Sequence, residues 1–292
     1  MSLSRLVLSG VVLGAVLGGC AKPPAEHSLV NQYVATPPVT NAVQQSATAI
    51  TDQPMPERIF THGRLGGRTL AVGSTSEIVL NPGEVVLTFD DGPRPGKTPQ
   101  ILDTLDQFGV KATFLMLGAA AQAHPQLAQR VALSGHTVGS HTYHHVDLNL
   151  LTSQEAMAEI SRGEMAVGQA LAGSGKSVSP FFRFPYLSQT GFLRTNLIQG
   201  NVVVLDVDID SKDYYLETPA MVTERTLARL DARGSGIILF HDIHQRTVDL
   251  LPGFLAELEQ RGYSVVRLVP KDTGVFGRDV ITADVPEAGA AL

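Results

Sequence analysis

The stretch VVLTFDDGP at residues 85–93 joins an apolar run to two adjacent carboxylates. Residues 85–89 form a nearly continuous apolar and β-branched run, which indicates a β-strand. Asp90 and Asp91 follow this run directly and precede a Gly-Pro pair, so the alternative for them is a simple Asx-capped turn. Because the reactive side chains of β/α barrels gather at the carboxyl ends of strands, we expect Asp90 and Asp91 to lie at a functional rim.

Four more groups of Asp, His or Arg follow apolar segments in the same way. They are His141 and His145 after residues 137–139, Arg183 within FFRFP at 181–185, Asp208, Asp210 and Asp213 after 202–205, and His241 and Asp242 after 237–240. Solvated charges scattered over a surface would not sort in this manner. The pattern therefore predicts one rim that collects these side chains.

Strand and helix patterns alternate over the same part of the chain. Residues 112–117, 201–208, 236–241 and 263–268 read as strands, and residues 98–108, 125–133, 152–171, 219–232 and 248–261 read as helices. This alternation predicts an α/β fold with a parallel sheet, closed into a small, distorted (β/α)7-type barrel. Residues 78–80 and 85–89 flank NPGE at 81–84, which predicts a hairpin at the start of the domain.

The reactive side chains suggest a metal-assisted hydrolysis. Two imidazoles and one carboxylate are a common ligand set for a catalytic zinc. His141 and His145 are four residues apart and can face one point, although His144 is an alternative to His145. Asp91 is the candidate third ligand, which leaves Asp90 free to act as a general base. His241 comes from another strand end and could protonate a leaving amine.

Five short motifs resemble those of the polysaccharide deacetylases, carbohydrate esterase family 4, in the same order. They are TFDDGP at 88–93, HTYHH at 141–145, RFPY at 183–186, DSKDY at 210–214 and LFH at 239–241. Each motif alone is modest, but together they span residues 84–268. The resemblance implies the NodB-like version of the predicted barrel and a deacetylase activity.

The resemblance also implies a role for each motif residue. Asp90 would be the catalytic base, and Asp91, His141 and His145 would bind the divalent metal, most simply Zn²⁺ with Co²⁺ or Ni²⁺ as alternatives. Arg183 would pair with Asp90 and orient it, and Asp213 would keep His241 protonated as the acid. The backbone amide of Tyr186 would be an oxyanion donor, and Tyr214 and Leu239 would line the acetyl pocket. Tyr214 departs from the family, which usually has Trp there, so the wall of the pocket differs.

The N-terminal residues resemble a bacterial lipoprotein signal. Arg5 precedes an apolar run at 6–17 that is too short to span a membrane, and LGGC at 17–20 resembles a lipoprotein cleavage box. We therefore expect a signal peptide at 1–19, a lipid-anchored Cys20, a flexible tether at 20–75 in which residues 64–72 could be ordered, a catalytic domain at 76–270 and a peripheral tail at 271–292. Ala21 favours the outer membrane, facing the periplasm, within the cell envelope.

The composition limits the partners. The formal net charge is -6 and no Lys/Arg run occurs, which argues against a nucleic-acid partner. We expect a monomer that acts on an acetylated polysaccharide: an N-deacetylase on peptidoglycan, chitin-like oligosaccharide or exopolysaccharide. An O-acetyl esterase on xylan or another glycan would use the same residues. A non-catalytic glycan-binding lipoprotein is the alternative of another class, and its mark would be a missing base, ligand or acid.

Overall fold

The computed structural model describes residues 65–271. The strands are β1 Gly66–Val72, β2 Glu84–Asp90, β3 Thr113–Met116, β4 Thr137–Ser140, β5 Phe181–Phe182, β6 Val203–Val204, β7 Ile209–Asp210, β8 Gly236–His241 and β9 Ser264–Pro270. The helices are α1 Thr98–Gln107, α2 Gly118–Ala123, α3 Pro125–Leu133, α4 Ser153–Leu171, α5 Gly191–Gln199, α6 Pro219–Arg233 and α7 Gln245–Gln260. The predicted signal peptide, Cys20 and most of the predicted tether and tail lie outside the described residues.

The strands form one parallel sheet that curls into a nearly closed barrel. The order is β1-β9-β2-β3-β4-β5-β6, and β8 pairs with β2 and with β7. Within residues 65–271 no pairing joins β6 to β7, so the barrel has one open seam. The predicted distorted (β/α)7-type barrel is confirmed. No helix in this part of the chain combines the length and apolar character that a membrane span requires.

Strand β2 shows how the sequence separates the inside of the barrel from its outer layer. Val85, Leu87 and Phe89 belong to the large core shared with the helices. Val86 belongs instead to a second cluster, built mainly from strand residues such as Leu115, Val203, Ile237 and Val266, which fills the barrel. Because side chains alternate along a strand, Thr88 and Asp90 face the same way as Val86. The alternation therefore delivers Asp90 to the inner rim of the barrel.

The predicted hairpin is wrong. Residues 78–80 form no strand; Thr75–Glu77 is a 3₁₀ turn, and Ile78 and Leu80 pack against the interior cluster. The first strand of the sheet is instead β1, which lies at the edge and pairs in parallel with β9. The alternating apolar residues at 78 and 80 are partly buried against this cluster, which gives a strand-like pattern without strand pairing. The barrel thus begins at β1, inside the range predicted as tether and within residues 64–72, which the sequence predicts as the ordered part of that range.

The predicted strand at 201–208 is also divided. The structure has two short strands, Val203–Val204 and Ile209–Asp210, which pair with different neighbours, β5 and β8. Between them Asp206 pairs with Arg194 and Asp208 pairs with Arg233. The chain crosses the open seam here, so a continuous apolar run does not become one continuous strand. The other predicted helices and strands agree with the structure to within a few residues, while the short helices α2 and α5 were not predicted.

Candidate active site

A cavity of about 390 Å³ opens at the carboxyl ends of the strands. Its lining contains eight of the predicted site residues, together with four residues that have no predicted role: Phe184, Leu187, Asp210 and His244. The lining residues are Asp90, Asp91, His141, His145, Phe184, Tyr186, Leu187, Asp210, Tyr214, Leu239, His241 and His244. Arg183 and Asp213 lie behind the lining and contact its members. The structure therefore brings the five sequence motifs to one place.

Asp91, His141 and His145 converge as a group that could hold a metal ion. Their ligand atoms all lie within 4.8 Å of one another. Asp91 Oδ1 is 3.6 Å from His141 Nε2 and 3.4 Å from His145 Nε2. That carboxylate oxygen is buried and has no hydrogen-bond partner among the described residues. A buried oxygen left without a partner is costly, and a cation would satisfy it, so the donor set fits a divalent metal.

The backbone and a neighbouring carbonyl fix the two imidazoles. His141 Nδ1 lies 2.7 Å from the carbonyl oxygen of Arg183, a contact that turns Nε2 towards Asp91. Asp91, Thr142 and His145 all have left-handed backbones, with φ of 77°, 69° and 60°. Such conformations of non-glycine residues cost on the order of 1–3 kcal/mol each and persist only where the surroundings hold them. Burial lowers the pKa of His145, which favours the neutral imidazole that binds metals.

His145, rather than His144, is the imidazole that reaches Asp91. The His144 side chain is 51% exposed and lies 3.4 Å from a carboxylate oxygen of Glu159. It is not among the residues that line the cavity. Because His145 has a positive φ, the side chains of His144 and His145 point to different sides of the backbone. Residue spacing alone does not predict this difference.

Asp90 is held by a fully buried cation. Arg183 donates to Asp90 Oδ1 at 2.8 Å, to Thr88 Oγ1 at 2.8 Å and to the carbonyl oxygen of Leu205 at 3.0 Å. Both side chains of the ion pair are almost completely buried. The other oxygen, Asp90 Oδ2, lies 3.8 Å from His141 Nε2. The pair therefore leaves one carboxylate oxygen beside the candidate metal site and uses the other for orientation.

His241 and Asp213 form a second ordered pair across the cavity. His241 Nδ1 lies 2.7 Å from Asp213 Oδ1, and Asp213 Oδ2 accepts from the His241 backbone amide at 2.7 Å and from Thr247 Oγ1 at 2.6 Å. Burial lowers the pKa of His241, but the hydrogen bond and charge of Asp213 outweigh it and raise the value to about 9. Burial raises the pKa of Asp213, but the hydrogen bond and charge of His241 outweigh it and lower that pKa.

The remaining predicted residues form the wall of the cavity. Tyr186 has a left-handed backbone, with φ of 56°, and its ring lies edge-on to His145 at 4.5 Å between centroids. Tyr214 lies edge-on to His241 at 5.4 Å, and its hydroxyl donates to Asp210 Oδ2 at 3.0 Å. The Tyr214 phenol thus has a hydrogen-bond partner at the end of β7. Leu239 supplies an apolar surface from β8.

Sequence reasoning gave no role to Asp242, which supports the loop that carries Asp91. Its Oδ2 accepts from Thr98 Oγ1 at 2.6 Å, and burial raises its pKa to about 7. A Cβ built on Gly92 would lie 2.1 Å from this oxygen, so only glycine fits there. Asp242 directly follows His241 at the end of β8, and this position at a strand end is the sequence feature that could have indicated a role for it.

Comparison with known proteins places this arrangement in a family. A sequence profile described as polysaccharide deacetylase matches residues 79–200. A chitin deacetylase of Colletotrichum lindemuthianum is 35% identical over 214 residues, which are 69% of this chain and 84% of that protein. The chain belongs to the polysaccharide deacetylase family.

Two bacterial relatives extend the likeness of this polysaccharide deacetylase domain. A peptidoglycan-N-acetylglucosamine deacetylase of Listeria monocytogenes is 32% identical over 185 residues, covering 63% of this chain but 38% of that protein. The solved structure of a Bdellovibrio bacteriovorus peptidoglycan deacetylase matches with a TM-score of 0.64 and 35% identity, covering 75% of this chain and 60% of that one. The chain therefore spans about two fifths and three fifths of these two relatives.

Family membership confirms the predicted family, barrel and enzyme class, a hydrolase of non-peptide carbon–nitrogen bonds. The residues predicted to bind a metal form one cluster, as described above. The identity of the metal, the individual catalytic roles, the lipid anchor, the outer-membrane location and the monomeric state remain predictions.

Proposed function

We propose that this protein hydrolyses the N-acetyl groups of a GlcNAc-containing polysaccharide with the help of a divalent metal, most simply Zn²⁺, and releases acetate. One observation carries the proposal. The cavity brings a three-residue metal-binding group, Asp90 with its buried Arg183, and His241 with its buried Asp213 to one opening. A non-catalytic glycan-binding protein would not need a base, a metal site and an acid, each with its own buried partner.

The side chains divide the work of an amide hydrolysis between two sides of the cavity. When bound by Asp91, His141 and His145, the metal supplies a Lewis acid that activates water and polarises the amide carbonyl. Asp90 accepts the proton of the attacking water through the oxygen that Arg183 leaves free. His241, kept protonated by Asp213, donates its Nε2 proton to the leaving nitrogen. The backbone amide of Tyr186 is the proposed donor to the oxyanion.

The proposed acid predicts the alkaline side of the pH profile. His241 can donate only when protonated, so activity is present below its pKa and is lost as the pH rises through it. That pKa is about 9, which is an upper limit because a bound cation repels the imidazolium. In Asp213→Asn the charge that raises this pKa most is removed while burial still lowers it, so the pKa of His241 falls. The alkaline limb of kcat/KM is therefore expected to move to lower pH.

Thr247→Val provides the matched control for this measurement. It removes one hydrogen bond to Asp213 but keeps the carboxylate charge next to His241. Its alkaline limb should stay close to that of the wild type. An Asp213→Asn profile that keeps the wild-type limb would contradict the assignment of His241 as the acid.

Products analysed by mass spectrometry test the function itself. The zinc-loaded protein is incubated with chito-oligosaccharides, peptidoglycan fragments and acetylated xylan, and each loss of an acetyl group is counted. We expect acetyl loss from the GlcNAc-containing substrates at a higher rate than from xylan. The similarity to chitin and peptidoglycan deacetylases supports this order. Turnover of xylan alone would favour the O-acetyl esterase, and no turnover of any substrate would favour the glycan-binding alternative.

A further inference from the structure

The segment that carries two of the proposed metal ligands has an unusual backbone. Residues 141–145 leave the end of β4, and both Thr142 and His145 adopt the left-handed conformation. Neither residue is a glycine, so this geometry is unfavourable by itself and has to be held from outside. The contacts of the segment show which elements hold it.

One side of the segment rests on the start of α2. The Gly118 amide donates to the carbonyl oxygen of Thr142 at 2.9 Å, and the Ala119 amide donates to that of Tyr143 at 3.1 Å. Within the segment, the His145 amide donates to Thr142 Oγ1 at 3.1 Å. These bonds account for two carbonyl groups and one amide, and the His144 amide has to find its acceptor elsewhere.

That acceptor comes from the middle of α4. Glu159 accepts the His144 backbone amide with one carboxylate oxygen, and its other oxygen lies 3.4 Å from His144 Nδ1. The Glu159 side chain is only 12% exposed, so water competes poorly for this bond. Fifteen residues separate the two partners, and the bond ties the ligand segment to a helix that carries none of the proposed metal ligands.

The same face of α4 contacts the segment at two further points. The Arg162 guanidinium lies 3.7 Å from the centre of the Tyr143 ring. A Cβ on Gly163 would lie 2.3 Å from the carbonyl carbon of Thr142, so glycine allows the helix to approach the segment this closely. Residues spaced by three and four lie on one face of a helix. Glu159, Arg162 and Gly163 therefore form one contact surface against residues 142–144.

We propose that Glu159 is a positioning residue for the metal site: it holds the His144 amide so that the next residue, His145, keeps its imidazole next to Asp91. The proposal rests on the metal site of the proposed function. Glu159 touches neither ligand ring and acts through the backbone. Loss of its carboxylate should let the His144–His145 peptide rotate towards ordinary backbone angles, and the ligand set should loosen.

The test measures zinc affinity rather than turnover. Glu159→Leu keeps most of the side-chain volume but removes the acceptor, and its Kd for Zn²⁺ should rise by about 10–100-fold, the range seen when a partner of a metal ligand is lost. Glu159→Gln keeps an oxygen that can accept the His144 amide, so its loss should be smaller. Glu224→Ala removes a carboxylate from an exposed position on α6 and should leave the Kd unchanged. Each Kd comes from competition with a chromophoric chelator, together with the melting temperature of the metal-free protein.

The outcomes separate this proposal from a general structural role and from the proposed function. A lower melting temperature with wild-type zinc affinity in Glu159→Leu would overturn it. If that variant does not fold, Glu159→Asp is the deciding variant, because it keeps the charge but is one methylene too short; wild-type affinity there would overturn the proposal equally. If the wild-type protein binds Zn²⁺ but deacetylates none of the substrates, the proposed function is wrong, while the positioning role of Glu159 is unaffected. A wild-type protein that binds no Zn²⁺ would remove both.

Discussion

Asp90→Asn is expected to give a folded, zinc-binding protein that has lost nearly all turnover. Asparagine has the same shape and keeps an oxygen that can accept from Arg183, so the orientation of the side chain is retained. An amide cannot take the proton of the attacking water, and general bases contribute roughly 10²–10⁴-fold to the rate. We therefore expect kcat to fall by about that factor while the Kd for Zn²⁺ stays close to the wild-type value. Acetate release and zinc competition measure the two quantities.

Asp249→Asn is the matched control for that variant. Asp249 lies on the exposed side of α7, where its carboxylate accepts from Gln245. The same chemical change there should alter neither kcat nor zinc affinity. Wild-type turnover in Asp90→Asn at full zinc occupancy would exclude Asp90 as the base. A loss of zinc binding in that variant would instead show that Asp90 supports the metal site itself.

Removal of the metal is the second large effect. Incubation with a chelator is expected to abolish acetate release, and Zn²⁺ or Co²⁺ should restore it, because the proposed reaction needs both the activated water and the polarised carbonyl. His145→Ala removes one of the three proposed ligands. Loss of an outer partner of a ligand lowers metal affinity by roughly 10–100-fold, and we expect the loss of zinc affinity in His145→Ala to be larger than that. Isothermal titration with Zn²⁺ measures this directly.

The adjacent histidine offers a sharp comparison. The His144 imidazole is half exposed and lies away from the cavity, and His144→Ala keeps the backbone amide that Glu159 holds. Its zinc affinity should therefore remain near that of the wild type. Equal losses of zinc affinity in His144→Ala and His145→Ala would mean that the ligand assignment at residues 144–145 is wrong. Acetate release that persists after complete removal of metal would disprove the metal-assisted mechanism.

The sequence alone determined which side chains could reach a common rim. The run at residues 85–89 is long, apolar and followed directly by Asp90 and Asp91, and the segment before His241 has the same form. Strand periodicity and the carboxyl-end rule of parallel barrels then place these side chains on one edge. Local pattern is sufficient here because each strand encodes its own inside and outside.

Tertiary structure decided how those side chains are oriented. Asp91 and His145 adopt left-handed backbone angles, which are unfavourable for residues other than glycine. His141 contacts the carbonyl oxygen of Arg183, and Glu159 accepts the backbone amide of His144, so both contacts join residues that are distant in sequence. The same holds for Ile78 and Leu80, whose alternation resembles a strand although they pack against the interior cluster without strand pairing. Periodicity reports which residues become buried, but the choice of partner depends on chain segments far away, and the folded barrel supplies that information.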